Sequence, residues 1–316
     1  MRKPKLTAVL RISVSLSLLA LLLWLARENF AKIRQLLSSL NLSVFALAFL
    51  LFIVSIIFMA WRLKIALAAQ ETTHFSIKDL FSLTLIGYFF TNFMPTSVGG
   101  DLVKGYYISR KIKSRVSSYA SVFVDRIMGM FSLILIASIA LLIMRKDIEH
   151  KLIFWALGFL FLFCIVFILL LINKKLLKKI SGSLGLLRLL RALKLDSLAQ
   201  KAYVSVSVYT NHKKKILQML ILSIVAQFIS FFAIYTLSNS LSVYIPFGKI
   251  LLVMPIIAAL CMLPVTMNGL GLREWGFVFF FSPNAGEAAA LSLSLLYLAM
   301  FLSVSLIGGI TYLFRR

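Results

Sequence analysis

Ile86-Gly87-Tyr88-Phe89-Phe90-Thr91-Asn92-Phe93-Met94-Pro95-Thr96-Ser97-Val98-Gly99-Gly100-Asp101 is an apolar stretch that breaks at a proline and a glycine pair and ends on a carboxylate. The other half of the chain repeats the order in Met262-Leu263-Pro264-Val265-Thr266-Met267-Asn268-Gly269-Leu270-Gly271-Leu272-Arg273-Glu274. Proline and glycine interrupt helices and free backbone polar groups. Hydrocarbon cannot satisfy those groups, so such breaks persist only inside protein or against a watery cavity. Two interrupted apolar segments at corresponding places in two halves point to a substrate site in a transporter.

The surroundings of both stretches are those of a membrane protein. Of 316 residues, 61% are hydrophobic and only 14% charged, against about 25% charged in soluble domains. Apolar runs at 16–25, 42–60, 127–144, 152–172, 216–237 and 288–314 are candidates for membrane helices, which need about 20 residues to cross the hydrocarbon core. The predicted fold is all-α: a polytopic integral membrane protein with six crossing helices and two re-entrant helical hairpins. Residues 1–316 form one transmembrane domain. Its first half, 1–150, contains the break 95–101; a basic loop follows at 174–215; the second half, 216–316, contains the break 264–274. The basic N-terminus followed by an apolar run imitates a signal peptide, but Trp24-Leu25-Ala26-Arg27 is a poor cleavage site, so the run is read as a retained first helix.

The net charge of +24 invites a nucleic-acid reading, and the placement of the charge argues against it. With the N-terminus inside, helices at about 6–26 and 42–61 go out and return. Residues 77–94 and the basic stretch from Lys104 to Arg115 form a hairpin that enters and leaves on the cytoplasmic side. Helices at 116–144 and 152–172 follow, then the loop 174–215 with eleven Lys and Arg and one Asp. Helix 216–239 goes out, a second hairpin at 249–282 enters from outside, and 287–314 returns to a cytoplasmic C-terminus. Inside segments then hold 24 of the 34 Lys and Arg and outside segments seven, as cytoplasmic loops should. The competing topology, with 77–94 and 250–267 spanning fully, exports the stretch Lys104 to Arg115. One hairpin from each face is the product of an inverted repeat. The leucine-rich basic loop 174–215 is either a simple cytoplasmic loop or an amphipathic helix on anionic lipid.

Ionised residues within apolar segments are costly and are candidates for function. Arg126, Arg273 and Lys104, with Gly99, Gly100, Asn268, Gly269 and Gly271 at the breaks, are the candidate head-group and phosphate-binding set. A guanidinium fork suits phosphate, and helix starts after Gly100 and Gly271 offer backbone donors. Asp101, Asp125 and Glu274 balance charge or couple transport. Competing structural roles are a cap by Asp101 on a helix beginning at Leu102, and static ion pairs for Asp125 and Arg126. No catalytic residue, metal or cofactor is expected. The glycines of the second break lack the third glycine of a dinucleotide loop, and no Gly-Lys-Ser or Gly-Lys-Thr phosphate loop occurs. His74, His150 and His212 are scattered, as are Cys164 and Cys261. Asn41-Leu42-Ser43 matches a glycosylation acceptor, a tripeptide common by chance.

Phe93 through Asp101, Lys104 and Val124-Asp125-Arg126, followed by Pro264, Asn268 through Glu274 and Ala288-Ala289-Ala290-Leu291-Ser292, resemble the two signatures of the lysylphosphatidylglycerol synthase transmembrane family, also called flippase-like domain proteins. The resemblance spans nearly the whole chain. Lys104 stands where many relatives carry Arg, keeping the charge without the fork. The resemblance implies a multi-pass prokaryotic membrane protein that moves lipids or lipid-linked head groups between leaflets. Some members carry a soluble aminoacyl-transferring domain, for which 316 residues leave no room. Expected partners are membrane lipids, anionic or lipid-linked, and a lipid or glycan synthase, but no nucleic acid. A membrane-embedded lipid-modifying transferase and a non-catalytic synthase partner are the alternative functions.

Overall fold

A computed structural model describes residues 26–70, 75–93, 98–112, 115–143, 207–262 and 266–315, with several positions between 13 and 24 and Leu162. All regular structure among them is helical. In chain order the α-helices are α1 (Phe30–Ser38), α2 (Leu42–Ala69), α3 (Ile77–Phe93), α4 (Gly99–Ser109), α5 (Arg115–Ile143), α6 (Lys213–Ser240), α7 (Phe247–Met262), α8 (Leu272–Ala285) and α9 (Glu287–Phe314). Four of them, α2, α5, α6 and α9, are long and apolar enough to cross a membrane. A bent pair, Ser13–Leu22 with Arg27–Ser38, makes a fifth candidate. All of the expected crossing at 152–172 but Leu162, most of the basic loop 174–215, Cys164, His74, His150, Pro95 and Pro264 lie outside the described residues.

The expected helix at 42–61 is longer in the structure, and the difference matters. Asn41 starts it by accepting the Val44 N–H on its side chain at 3.2 Å, an N-cap where the sequence suggested only a chance glycosylation motif. The helix then continues past Arg62 to Ala69, because Ile65, Ala66, Leu67, Ala68 and Ala69 prolong the apolar pattern and no breaker intervenes. Arg62 is therefore inside a helix rather than in a flanking loop.

α2 and α6 pair antiparallel along their length. At one end the Asn41 N–H donates to the Ser240 carbonyl at 2.9 Å. At the other, Lys215 Nζ donates to the Ala68 carbonyl at 2.7 Å, placing a cation on the C-terminus of α2 where the helix dipole favours it. Small polar side chains fill the helix contacts: Ser55, Ser118, Ser121, Ser223, Ser230, Ser292 and Ser305 are buried. Leu302, Leu306, Ile310 and Leu313 lie exposed along α9. Small polar residues inside and large apolar ones outside is the pattern of helices packed in lipid.

Two helical hairpins hold the quoted sequence stretches. In the first, α3 and α4 fold back on each other so tightly that a Cβ added to Gly100 would lie 2.1 Å from the Gly87 carbonyl oxygen and 2.3 Å from Thr91 Oγ1. Its open end is closed by Lys111 and Asp79, 3.7 Å apart. In the second, α7 and α8 fold back with Gly276 against Ile257, and Lys249 donates to Asn284 at the open end. The two open ends sit at opposite ends of α9. Arg315, just beyond α9, reaches the Asp79 carbonyl at 3.5 Å, whereas α8 runs through Gly286 directly into the start of α9 at Glu287. At 28 residues, α9 holds those ends roughly 40 Å apart. α9 also fits closely on α3: a Cβ on Gly308 would come 2.0 Å from the Leu85 carbonyl oxygen.

Gly100→Ala should open the seam between α3 and α4, because backbone cannot give way as a flexible side chain can. A loss of about 1–3 kcal/mol, read as a lower midpoint of thermal aggregation in detergent, is expected; a midpoint equal to wild type would mean the seam is looser than its geometry.

Candidate functional site

The hairpin tips meet. Asn268, in the second break, donates through Nδ2 to Asn92 Oδ1 near the end of α3 at 2.6 Å, and Asn92 Nδ2 donates to Ser305 Oγ on α9 at 2.7 Å. The second tip owes its shape to left-handed backbone at Asn268 (φ 49°), Gly269 (φ 77°) and Gly271 (φ 83°), conformations that Asn tolerates and Gly adopts without a Cβ clash. A Cβ at Gly269 would strike Cys261 Sγ at 2.4 Å. The N-terminal segment braces this tip: Ser15 Oγ accepts the Met267 N–H at 2.8 Å and the Leu18 carbonyl accepts Trp275 Nε1 at 3.3 Å.

Beneath the tips lies a cavity of about 340 Å³. Lys104, Asp101, Asp125, Arg126, Asn268 and Arg273 all line it, so the structure brings together six positions singled out in the sequence, from both hairpins and from α5. Glu274 stands behind Arg273 and is completely buried. Gly99, Gly100, Gly269 and Gly271 shape the backbone and are not among the lining residues.

Three ionic groups surround the cavity. In the first, Arg62 and Asp125 form a two-point pair, Nε to Oδ1 at 2.6 Å and Nη2 to Oδ2 at 3.0 Å, and Arg62 Nη1 donates to Ser223 at 3.1 Å. α2, α5 and α6 are thereby tied by one buried guanidinium. In the second, Arg273 donates to Glu274 Oε1 from Nε at 3.0 Å and Nη2 at 2.8 Å, while Glu274 Oε2 accepts the Gly271 N–H at 2.7 Å. Glu274 thus caps α8 and neutralises its neighbour together. The backbone donor expected of Gly271 toward an anion is taken within the protein. Arg273 also lies over Tyr297 and Phe301, 5.6 and 5.7 Å from the ring centres, a favourable cation–π geometry.

The third group is different. Asp101 Oδ1 accepts Lys104 Nζ at 2.9 Å, and Arg126 Nη1 donates to Asp101 Oδ2. One carboxylate holds two cations, and the three side chains keep 15–24% of their surface open, against 0–8% in the other two pairs. Asp101 does not cap a helix beginning at Leu102: α4 begins at Gly99, and Asp101 lies in its first turn facing α5.

Adjacent Asp125 and Arg126 turn to different partners, about 100° apart on α5 as helix geometry requires. Arg126 meets the first hairpin. Asp125 meets Arg62, which lies one residue past the helix expected at about 42–61 and beside Lys64. The apolar residues continuing to Ala69 were the available signal. Asn92 and Thr91 sat inside the quoted stretch as polar residues in apolar company. Tyr88, Tyr297 and Phe301, which also line the cavity, carried no mark among so many aromatics. Among the described residues no group of His, Cys, Asp and Glu has the spacing of a metal site.

A family model described as "Lysylphosphatidylglycerol synthase TM region" matches residues 9–308. The chain belongs to that family. No curated protein matches it at a significant level. Family membership and four long apolar helices make it a multi-pass membrane protein, and the ion-lined cavity of this family member lies where its two hairpin tips join.

Proposed function

We propose that this protein is a lipid translocase that moves a phosphate-bearing lipid, or a lipid-linked head group, between the leaflets of a prokaryotic cell membrane. The observation that carries this reading is the charge of the cavity. Arg62, Lys104, Arg126 and Arg273 face Asp101 and Asp125, with Glu274 behind. Among these described side chains, four positive charges meet three negative ones, and Lys104 and Arg126 share the single carboxylate of Asp101. An anion of lipid head-group size suits a 340 Å³ space whose lining includes these cations together with Tyr88, Tyr297 and Phe301.

The fold supports the membrane placement. The two open ends lie at opposite ends of α9, which supports reading each hairpin as re-entrant from its own side of the bilayer. The basic residues near the open end of the first, with Arg315, support the reading in which that end and both termini are cytoplasmic. The tips then meet near the midplane, where transporters of inverted-repeat design hold their substrates. The head group crosses through the cavity while the acyl chains remain in lipid. The basic region at 174–215 docks anionic lipid or a lipid or glycan synthase.

The test is leaflet transfer in vesicles containing purified protein, with fluorescent phosphatidylglycerol and, separately, a polyprenyl phosphate as cargo. Acceleration over protein-free vesicles is expected. Arg126→Gln should slow it by roughly tenfold to a hundredfold, the equivalent of one hydrogen bond to a charged group. Wild-type transfer no faster than protein-free vesicles for both cargoes would overturn the proposal.

A further inference from the structure

We infer that the Asp101 carboxylate is a built-in occupant of the anion site: it holds Lys104 and Arg126 together while the site is empty and yields its place when a phosphate docks between them. This rests on the translocase reading above and assigns Asp101 a role within it.

Lys104 and Arg126 approach Asp101 from α4 and α5, one on each carboxylate oxygen. A phosphate offers the same two donors the same kind of charged oxygen. All three side chains line the cavity, and they are the more accessible of its ionic groups: Asp101 keeps 18% of its side-chain surface open, whereas Glu274 keeps none and Asp125 8%. The Arg62 and Arg273 pairs are closed on themselves, the first by Ser223 and the second by Gly271 and two aromatic rings. Exchange of a carboxylate for an incoming anion is therefore easiest at Asp101.

A carrier that releases its cargo must also reset empty. Two cations left facing each other in a low-dielectric interior carry a large desolvation penalty. Asp101 offsets that penalty in the empty state. The same contact competes with cargo, so it trades affinity for turnover. Asp101 acts here as a positioning residue for the two cations.

The experiment separates affinity from reset. Binding of soluble dihexanoylphosphatidylglycerol to detergent-purified protein gives Kd; vesicle assays give net transfer and lipid-for-lipid exchange. D101N should bind about tenfold tighter, and its maximal net transfer should fall about tenfold, the effect of one charge-assisted contact near 1.4 kcal/mol. Exchange, which needs no empty reset, should stay within threefold of wild type. K104Q alone should bind about tenfold weaker, and D101N/K104Q should return to within threefold of wild-type Kd. That last comparison holds even where D101N itself fails to accumulate. A wild type that binds neither this probe nor a short-chain polyprenyl phosphate would defeat the translocase reading. A wild type that binds, with D101N no tighter or D101N/K104Q no better than K104Q, would defeat the role of Asp101 and leave that reading standing.

Discussion

Asp125→Ala is expected to lower stability by about 3–5 kcal/mol, the loss found when one partner of a buried ion pair is removed and the other charge stays behind. Arg62 has nowhere to go. Its side chain is 7% exposed, and Gly129 of α5 presses on it so closely that an added Cβ would lie 2.9 Å from Nη1. Ser223 alone cannot neutralise a guanidinium. The double variant Arg62→Leu with Asp125→Leu should recover most of the loss, since a buried pair replaced by apolar side chains is often neutral. Thermal aggregation midpoints in a mild detergent read both. An Asp125→Ala protein as stable as wild type would show that water reaches Arg62 and that the three-helix tie is weak.

Glu274→Ala should be as damaging, and the route of the damage can be separated. Two functions meet in one side chain that is wholly buried: a cap on the Gly271 N–H and the counter-charge of Arg273. Loss of a cap costs about 1 kcal/mol, loss of the counter-charge about 3–5 kcal/mol. Glu274→Gln keeps an acceptor for Gly271 and loses the charge, so it should regain only about 1 kcal/mol of what alanine loses. A Gln variant close to wild type would mean that the cation–π contacts with Tyr297 and Phe301 hold Arg273 on their own. Asn268→Ala, which cuts the neutral link between the tips, should be far milder, because hydrogen bonds between membrane helices average about 0.6 kcal/mol.

Much of this arrangement was legible in the residues. The proline and glycine breaks marked both hairpins, since few other features force an apolar helix to stop. The ionised residues Asp101, Asp125, Arg126, Arg273 and Glu274 stood out because each is expensive in an apolar stretch, and the structure gathers them around one cavity. Pairing was not legible. It depends on how α2, α5 and α6 are rotated against one another, and the sequence of a single helix carries no record of that. Arg62 escaped because charge beside an apolar run reads the same whether the helix ends there or continues. Glu274 was noted as a charge, yet its capping role follows from the left-handed backbone at Gly271, which becomes visible only with the turn in place. The spare exposure of the Asp101 group, which sets it apart from the other two ion pairs, is likewise a property of packing.

The most direct measurement uses Cys261, which lines the cavity and becomes the sole thiol of the chain once Cys164 is replaced by serine. In vesicles containing the C164S protein, a water-soluble, membrane-impermeant methanethiosulfonate should modify Cys261, and dihexanoylphosphatidylglycerol should slow that modification severalfold in wild-type background but not with Arg126→Gln. A thiol that stays unmodified from either side of the vesicle, or one whose modification ignores the lipid, would contradict a wet, ion-lined passage shared by the two hairpins.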